Sequence, residues 1–149
     1  MKTNTQQLLI CLAADETAQF PSIPQQCDEL DRLYETAGEI VNVLKKHTVI
    51  TEDLSFFYVF DDDAELDGQC NRYNGIGAAI GVAKSACRAD IDYLRTVIIH
   101  EMTHLSVLWH DAEFHALYKD LLHYWNTETG DHLADIDMLT QIRWDSARM

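Results

Sequence analysis

One helix carrying two histidines and a glutamate constrains this chain more than any other feature of its sequence. His100, Glu101 and His104 follow one another with the spacing H-E-x-x-H. At about 100° per residue, His104 lies about 40° around a helix from His100 and one turn along, so both imidazoles can reach one ion. Glu101 lies about 100° from His100, where it can hold a water on that ion without binding the ion itself. This arrangement is typical of zinc hydrolases and predicts Glu101 as a general base.

The residues around this motif have the properties of a buried helix. Asp90 is suited to the N-cap position, and no glycine or proline interrupts residues 90–105. The apolar surface comes from Leu94, Val97, Ile98, Leu105 and Leu108. A glutamate buried between two histidines is costly unless it serves a purpose, which favours a metal site over a chance match.

A third ligand is needed, because catalytic zinc usually has three protein ligands and one open position. His110 is the first candidate, since it follows His104 by six residues, as the third histidine of the metzincin pattern does. Val107 replaces the glycine of that pattern. On an unbroken helix His110 would lie about 240° from His104 and point away from the ion. The helix must therefore end or bend between Leu105 and Trp109.

Asp111 is suited to such a helix end, because an aspartate there can cap a second helix that begins at Ala112. Other third ligands stay open at this point. They are Asp111 itself, Glu113 and the more distant Glu128. His115, His123 and His132 are more typical of surface or helix-end histidines.

The run Val97–Leu105, followed by His110–Phe114, resembles the small zincins of the SprT-like, YgjP-like and WLM groups. In those families a helix carries H-E-x-x-H, a third histidine follows a short turn, and a helix with an aromatic residue comes next. The match covers about residues 75–125. It implies a minimal zincin-like fold and zinc-dependent peptide hydrolysis, with His100, His104 and His110 as ligands. Glu101 would be the base, and a protein or peptide would be the substrate.

Two departures limit what the resemblance implies. The basic surface and cysteine zinc ribbon of the DNA-associated SprT-like members are missing, so their DNA-linked substrates are not implied. The metzincin glycine and a clear Met-turn are also absent. The residue that stabilises the developing oxyanion is left open among Tyr118, Tyr73 and Arg72.

Composition sets the class of protein. A chain of 149 residues that is 47% hydrophobic predicts a single domain over residues 1–149. The net charge of −14 argues against binding to nucleic acid or to anionic membranes, which require positive charge. The short apolar run Leu8–Ala14 is interpreted as an amphipathic helix rather than a signal peptide, and no membrane span is expected.

The cysteines indicate a cellular compartment. Cys11, Cys27, Cys70 and Cys87 form no C-x-x-C pair, so they are interpreted as thiols of a cytoplasmic protein. Disulfides between Cys11 and Cys27 and between Cys70 and Cys87 are the alternative.

The remaining pattern predicts an α+β fold. Helices are expected over Asp28–Lys46, around Phe114–Trp125 and over Asp135–Arg143. Strands are expected at Thr48–Ile50, at Leu54–Phe60 as a central strand, and at Ile76–Ala83. These strands would form a small, mostly antiparallel sheet of three or four strands beside the H-E-x-x-H helix. The resemblance implies that Ile76–Ala83 is the sheet edge that pairs with an extended substrate.

The acidic segment Asp61–Gly68 has some features of a calcium-binding loop. In the EF-hand register that begins at Asp63, position twelve is Asn74 rather than a bidentate glutamate, and no helices flank the segment. A solvated acidic loop is therefore favoured, followed by a turn at Asn71–Gly75.

Three functions remain in competition. The leading one is a zinc metallopeptidase. The first alternative is a non-catalytic zinc-binding structural or interaction module, whose fourth metal position a group such as Asp111 would close. The second is an acidic interaction protein, which would leave a buried Glu101 unexplained.

Overall fold

The computed structural model describes residues 28–47, 54–61, 67–73 and 77–134. They form an α+β arrangement of four helices and three strands. The elements in chain order are α1 (Asp28–Leu44), β1 (Leu54–Phe60), β2 (Gly68–Tyr73), β3 (Gly77–Ala83), α2 (Lys84–Arg88), α3 (Ile91–Thr103) and α4 (Ala112–Thr129). The α+β class predicted from the sequence is confirmed. The elements predicted at Leu8–Ala14, Thr48–Ile50 and Asp135–Arg143, and the Cys11–Cys27 pair, lie outside the described residues.

Helix α1 forms because its apolar side chains recur at helical spacing and cover one stripe. The buried residues of this stripe include Leu30, Leu33, Tyr34, Ala37, Ile40 and Leu44. The hydroxyl of Tyr34 donates a hydrogen bond to the carbonyl of Phe57 at 2.9 Å, which ties α1 to β1. The helix therefore packs on the sheet as its amphipathic pattern predicts.

The sheet has the order β1-β3-β2, with β1 parallel and β2 antiparallel to β3. The prediction of a mostly antiparallel sheet is thus wrong, because the sheet is mixed. Phe60 pairs with Ala83 and Gly68 pairs with Val82, so β1 ends and β2 begins at the same end of β3. β1 and β2 therefore flank β3 on opposite sides. Because β2 runs in the direction opposite to both, β1 and β3 run the same way.

The positions of two strands also differ from those predicted. Among the described strands β3 is central, not an edge, and β1 lies at one end of the sheet. The apolar run of β1 reflects burial of both its faces rather than a central position, since Phe57 and Tyr58, which point to opposite faces, are both buried. The glycine at position 81 of β3 leaves room for a large neighbouring side chain, because Tyr58, its partner on β1, packs directly against it.

One face of the sheet supports the helices. Because paired residues point to the same face, Phe57, Ile80 and Cys70 share this face and are buried beneath the helices. Arg32 of α1 donates hydrogen bonds of 2.6 Å to the carbonyls of Cys87 and Ala89 and so holds the end of α2. Helix α3 lies between the sheet and α4. None of the helices in the described ranges is long and apolar enough to cross a membrane.

Candidate metal centre

Helix α3 carries the H-E-x-x-H residues into the interior. Asp90 caps it as predicted, because its carboxylate accepts a hydrogen bond of 3.0 Å from the backbone nitrogen of Asp92. His100 and Glu101 have no exposed surface, and His104 is 5% exposed. The helix ends at Thr103, with His104 as its C-cap. The prediction that the helix ends before His110 is therefore confirmed, but the end lies two residues before the predicted range, which begins at Leu105.

The turn between α3 and α4 is fixed by two side chains. Nδ1 of His104 lies 3.0 Å from the carbonyl oxygen of Val107, which stabilises the ring by holding it against the turn. Asp111 accepts a hydrogen bond of 3.0 Å from the backbone nitrogen of Phe114 and caps α4, which begins at Ala112 as predicted. The turn thus reverses the chain and returns His110 to the end of α3.

The three predicted ligands His100, His104 and His110 come together at this turn. Their ligand atoms all lie within 4.8 Å of one another. Nε2 of His104 lies 2.9 Å from Nε2 of His110, and the ring centroids of His100 and His110 are 5.1 Å apart. Phe114 packs against all three rings, at centroid distances of 4.6 to 4.8 Å. The three histidines are close enough to bind one metal ion.

The alternative third ligands do not join this group. Among the described histidines, cysteines and acidic residues, the cluster comprises only His100, His104 and His110. The carboxylate of Asp111 is used in capping α4, and Glu113 and Glu128 are exposed. His115, His123 and His132 are exposed as well. Cys70 and Cys87 are buried outside the cluster and are not joined to each other by a disulfide.

The electrostatics of the cluster favour neutral imidazoles. Burial, followed by the nearby His104, His110 and His115, holds the pKa of His100 well below its usual value of 6.5. Burial, together with His104 and His115, lowers the pKa of His110 to about 4. A neutral imidazole offers a lone pair, so these histidines need not release a proton at neutral pH to bind a cation. The donor set therefore fits a metal ion.

Glu101 lies beside the cluster but is not part of it. Its Oε2 is 3.2 Å from Nδ1 of His100. If Nδ1 carries the ring proton, it donates a hydrogen bond to the carboxylate. The lone pair of Nε2 of His100 is then left for an ion. Metal-binding histidines commonly have such a carboxylate partner. The Glu101 carboxylate is thus in contact with one of the three histidines that could bind an ion.

Two residues near Glu101 were not identified from the sequence. Gly68, at the start of β2, faces the Glu101 side chain. Asp67 is 5% exposed and accepts a hydrogen bond of 2.5 Å from the hydroxyl of Tyr93 on α3. Both belong to the segment Asp61–Gly68, for which the sequence predicts a solvated acidic loop. Of its described residues Asp61 is exposed, whereas Asp67 and Gly68 are buried, so the prediction is wrong for these two. The only available signal was an aspartate followed by glycine, which is common in loops.

Of the three candidates for oxyanion stabilisation, the structure describes the side chain of one. Tyr118 of α4 is fully buried, with its ring centroid 5.3 Å from that of His100. The side chains of Arg72 and Tyr73 lie outside the described part of the structure. Tyr118 is therefore the candidate whose place beside the cluster is known.

No protein-family model, curated protein or solved structure matches this chain. The function must therefore be inferred from the chemistry and geometry of the cluster itself.

Proposed function

We propose that this protein is a zinc-dependent peptidase of the small zincin type. His100, His104 and His110 would hold the ion, and Glu101 would be the general base. The observation that carries the proposal is the convergence of three imidazoles from one helix and the following turn, with a fully buried carboxylate directly beside them. A buried glutamate is costly, and a role as proton acceptor explains why this one is kept.

The donor set favours zinc and a catalytic site. Three imidazoles suit zinc, and three protein ligands with one open position are typical of catalytic rather than structural zinc. Bound zinc supplies a Lewis acid that polarises a carbonyl and lowers the pKa of a coordinated water to about 7. The alternative, a zinc-binding module without catalysis, needs a fourth protein ligand. Asp111 was the candidate for this fourth ligand, but its carboxylate caps α4 instead.

Residues of the chain would transfer the proton, orient a metal ligand and stabilise the oxyanion. Glu101 would accept a proton from the attacking water and return it to the leaving nitrogen of the cleaved bond. The carbonyl of Val107 holds the ring of His104 in one orientation, so the geometry at the ion is set before a substrate arrives. Tyr118, which packs against His100, would donate a hydrogen bond to the oxyanion.

The sheet offers an edge for an extended substrate beside this site. β3 has neighbours on both sides, so the substrate strand implied by the resemblance cannot be β3. Among the described strands β2 is an end strand, and its first residue, Gly68, faces Glu101. We therefore assign the substrate-pairing edge to β2. A peptide added there would form main-chain hydrogen bonds that do not depend on its sequence.

A cytoplasmic location belongs to the same proposal. Cys70 and Cys87 are buried and are not joined to each other by a disulfide, which fits a reducing compartment.

The proposal is tested by digesting an unfolded protein with the zinc-loaded chain. Cleavage should stop on addition of a chelator and return when zinc is restored. His104→Ala should abolish both zinc binding and cleavage, because it removes a ligand. His123→Ala is the control, since His123 is exposed on α4 and outside the cluster. Cleavage that persists in the chelator, or in the His104 variant, would show that another site or a contaminant cuts the substrate.

A further inference from the structure

Gly68 is packed against the side chain of Glu101. A Cβ atom on Gly68 would lie 2.9 Å from both Cγ and Oε2 of Glu101 and 3.0 Å from Cγ1 of Val97. Real Cβ atoms essentially never approach other atoms closer than 3.0 Å. With Glu101 in its present position, residue 68 therefore has no room for any side chain.

Several bonds hold Gly68 in this place. It pairs with Val82 in the antiparallel ladder of β2 and β3. The preceding carbonyl, that of Asp67, accepts a hydrogen bond of 3.0 Å from the backbone nitrogen of Ala83. The carboxylate of Asp67 accepts a second bond from Tyr93, two turns before Glu101 on α3. The start of β2 is thus tied both to the central strand and to the helix that carries the metal ligands.

We propose that Gly68 is a positioning residue for Glu101. Oε2 of Glu101 lies 3.2 Å from Nδ1 of His100 and also packs against Gly68, so these two neighbours restrict where the carboxylate can lie. A general base must be within hydrogen-bond reach of the proton that it accepts, so small displacements matter. The inference rests on the proposed function, and it gives the segment Asp67–Gly68 a role that the solvated-loop interpretation did not.

The first test is Gly68→Ala in the zinc-loaded protein. The added methyl should displace the Glu101 carboxylate and lower kcat by about 10²-fold, the effect expected for a displacement of about 1 Å at a catalytic site. At saturating zinc the variant should still hold one ion per chain, because residue 68 is not one of the three candidate ligands. Equal kcat in the variant and the wild type would overturn the inference.

Gly81→Ala is the matched control. A Cβ at Gly81 would lie 2.5 Å from Cζ of Tyr58, so it overpacks the opposite face of the same sheet without approaching Glu101. It should lower Tm while leaving kcat unchanged at temperatures where the protein is folded. An equal loss of kcat in the two glycine variants would show a general effect of distorting the sheet, and would also overturn the inference.

A double-mutant cycle tests the contact without using activity. Glu101→Ala removes Cγ and Oε2, the two glutamate atoms that the new methyl would meet. Gly68→Ala should therefore lower Tm clearly less in the Glu101→Ala background than in the wild type, with or without zinc. Additive effects on Tm would exclude the contact. Absence of cleavage by the wild type would instead overturn the peptidase proposal, so the two failures are distinguishable.

Discussion

Nε2 of His104 lies 2.9 Å from Nε2 of His110, across the turn that joins α3 to α4. At that distance the two nitrogens can share a proton or bind the same ion. The approach depends on the end of α3 at Thr103, because a continued helix would carry His110 to its far side. The carbonyl of Val107 and the cap at Asp111 fix the turn that brings the two rings together.

We expect His110→Ala to weaken zinc binding by orders of magnitude, because it removes one of three ligands. His115→Ala is the control. His115 lies close enough to lower the pKa of His110 but is exposed and outside the cluster, so its loss should leave zinc affinity nearly unchanged. Competition with a chromophoric chelator measures both affinities. Unaltered affinity in the His110 variant, with a loss in Glu128→Gln or Asp111→Asn, would assign the third ligand elsewhere.

The cap of α4 should couple local stability to metal binding. Asp111→Ala should lower the free energy of unfolding by about 1 kcal/mol, as is usual for a lost N-cap. It should also weaken zinc binding, because the turn that presents His110 loses an anchor.

Asp90→Ala provides the comparison, since Asp90 caps the distant start of α3. We expect a similar loss of stability and no change in zinc affinity, as measured by denaturant unfolding and chelator competition. Asp111→Asn should behave as the wild type, because asparagine also caps helices well. Equal zinc affinity in Asp111→Ala and Asp90→Ala would contradict the role given to the turn.

The metal-free protein should lose stability as the pH falls from about 6.5 to about 4. The folded state lowers the pKa of His110 to about 4, whereas an unfolded histidine has a pKa of about 6.5. Between these values the unfolded chain binds a proton that the folded chain does not, so acid favours unfolding. His100, whose pKa is also lowered, acts in the same direction.

Denaturant unfolding of chelator-treated protein at several pH values measures this effect. His110→Gln removes the titrating group, so its free energy of unfolding should fall less steeply with acid than that of the wild type. The carboxylates of the chain contribute equally to both proteins and cancel in the comparison. Identical slopes would show that His110 is not held neutral in the folded state.

Local sequence patterns predicted much of the candidate site. The spacing of His100 and His104, the caps Asp90 and Asp111, and the helix end before His110 all follow from the helix period and from capping chemistry. Each of these features depends on residues within two helical turns of one another. For that reason these features could be predicted from the sequence without knowledge of the fold.

The sheet was predicted less well because strand order depends on distant partners. β2 was missed, since Gly68, Gln69 and Asn71 have the composition of a loop and pair only because β3 lies beside them. The apolar run of β1 suggested a central strand, whereas it reflects the burial of both faces of a strand that lies at one end of the described sheet. The close approach of Gly68 to Glu101 could likewise not be predicted, because it joins residues of two different elements.

Comparing Glu101→Gln with the wild type tests the central claim most directly. Both proteins are loaded with zinc, their zinc content is measured in the same samples, and an unfolded protein is supplied as substrate. We expect one zinc ion per chain in each and a fall in cleavage rate of about 10²- to 10⁴-fold in the variant, the usual contribution of a general base. A variant that holds zinc and cleaves as fast as the wild type would contradict the account.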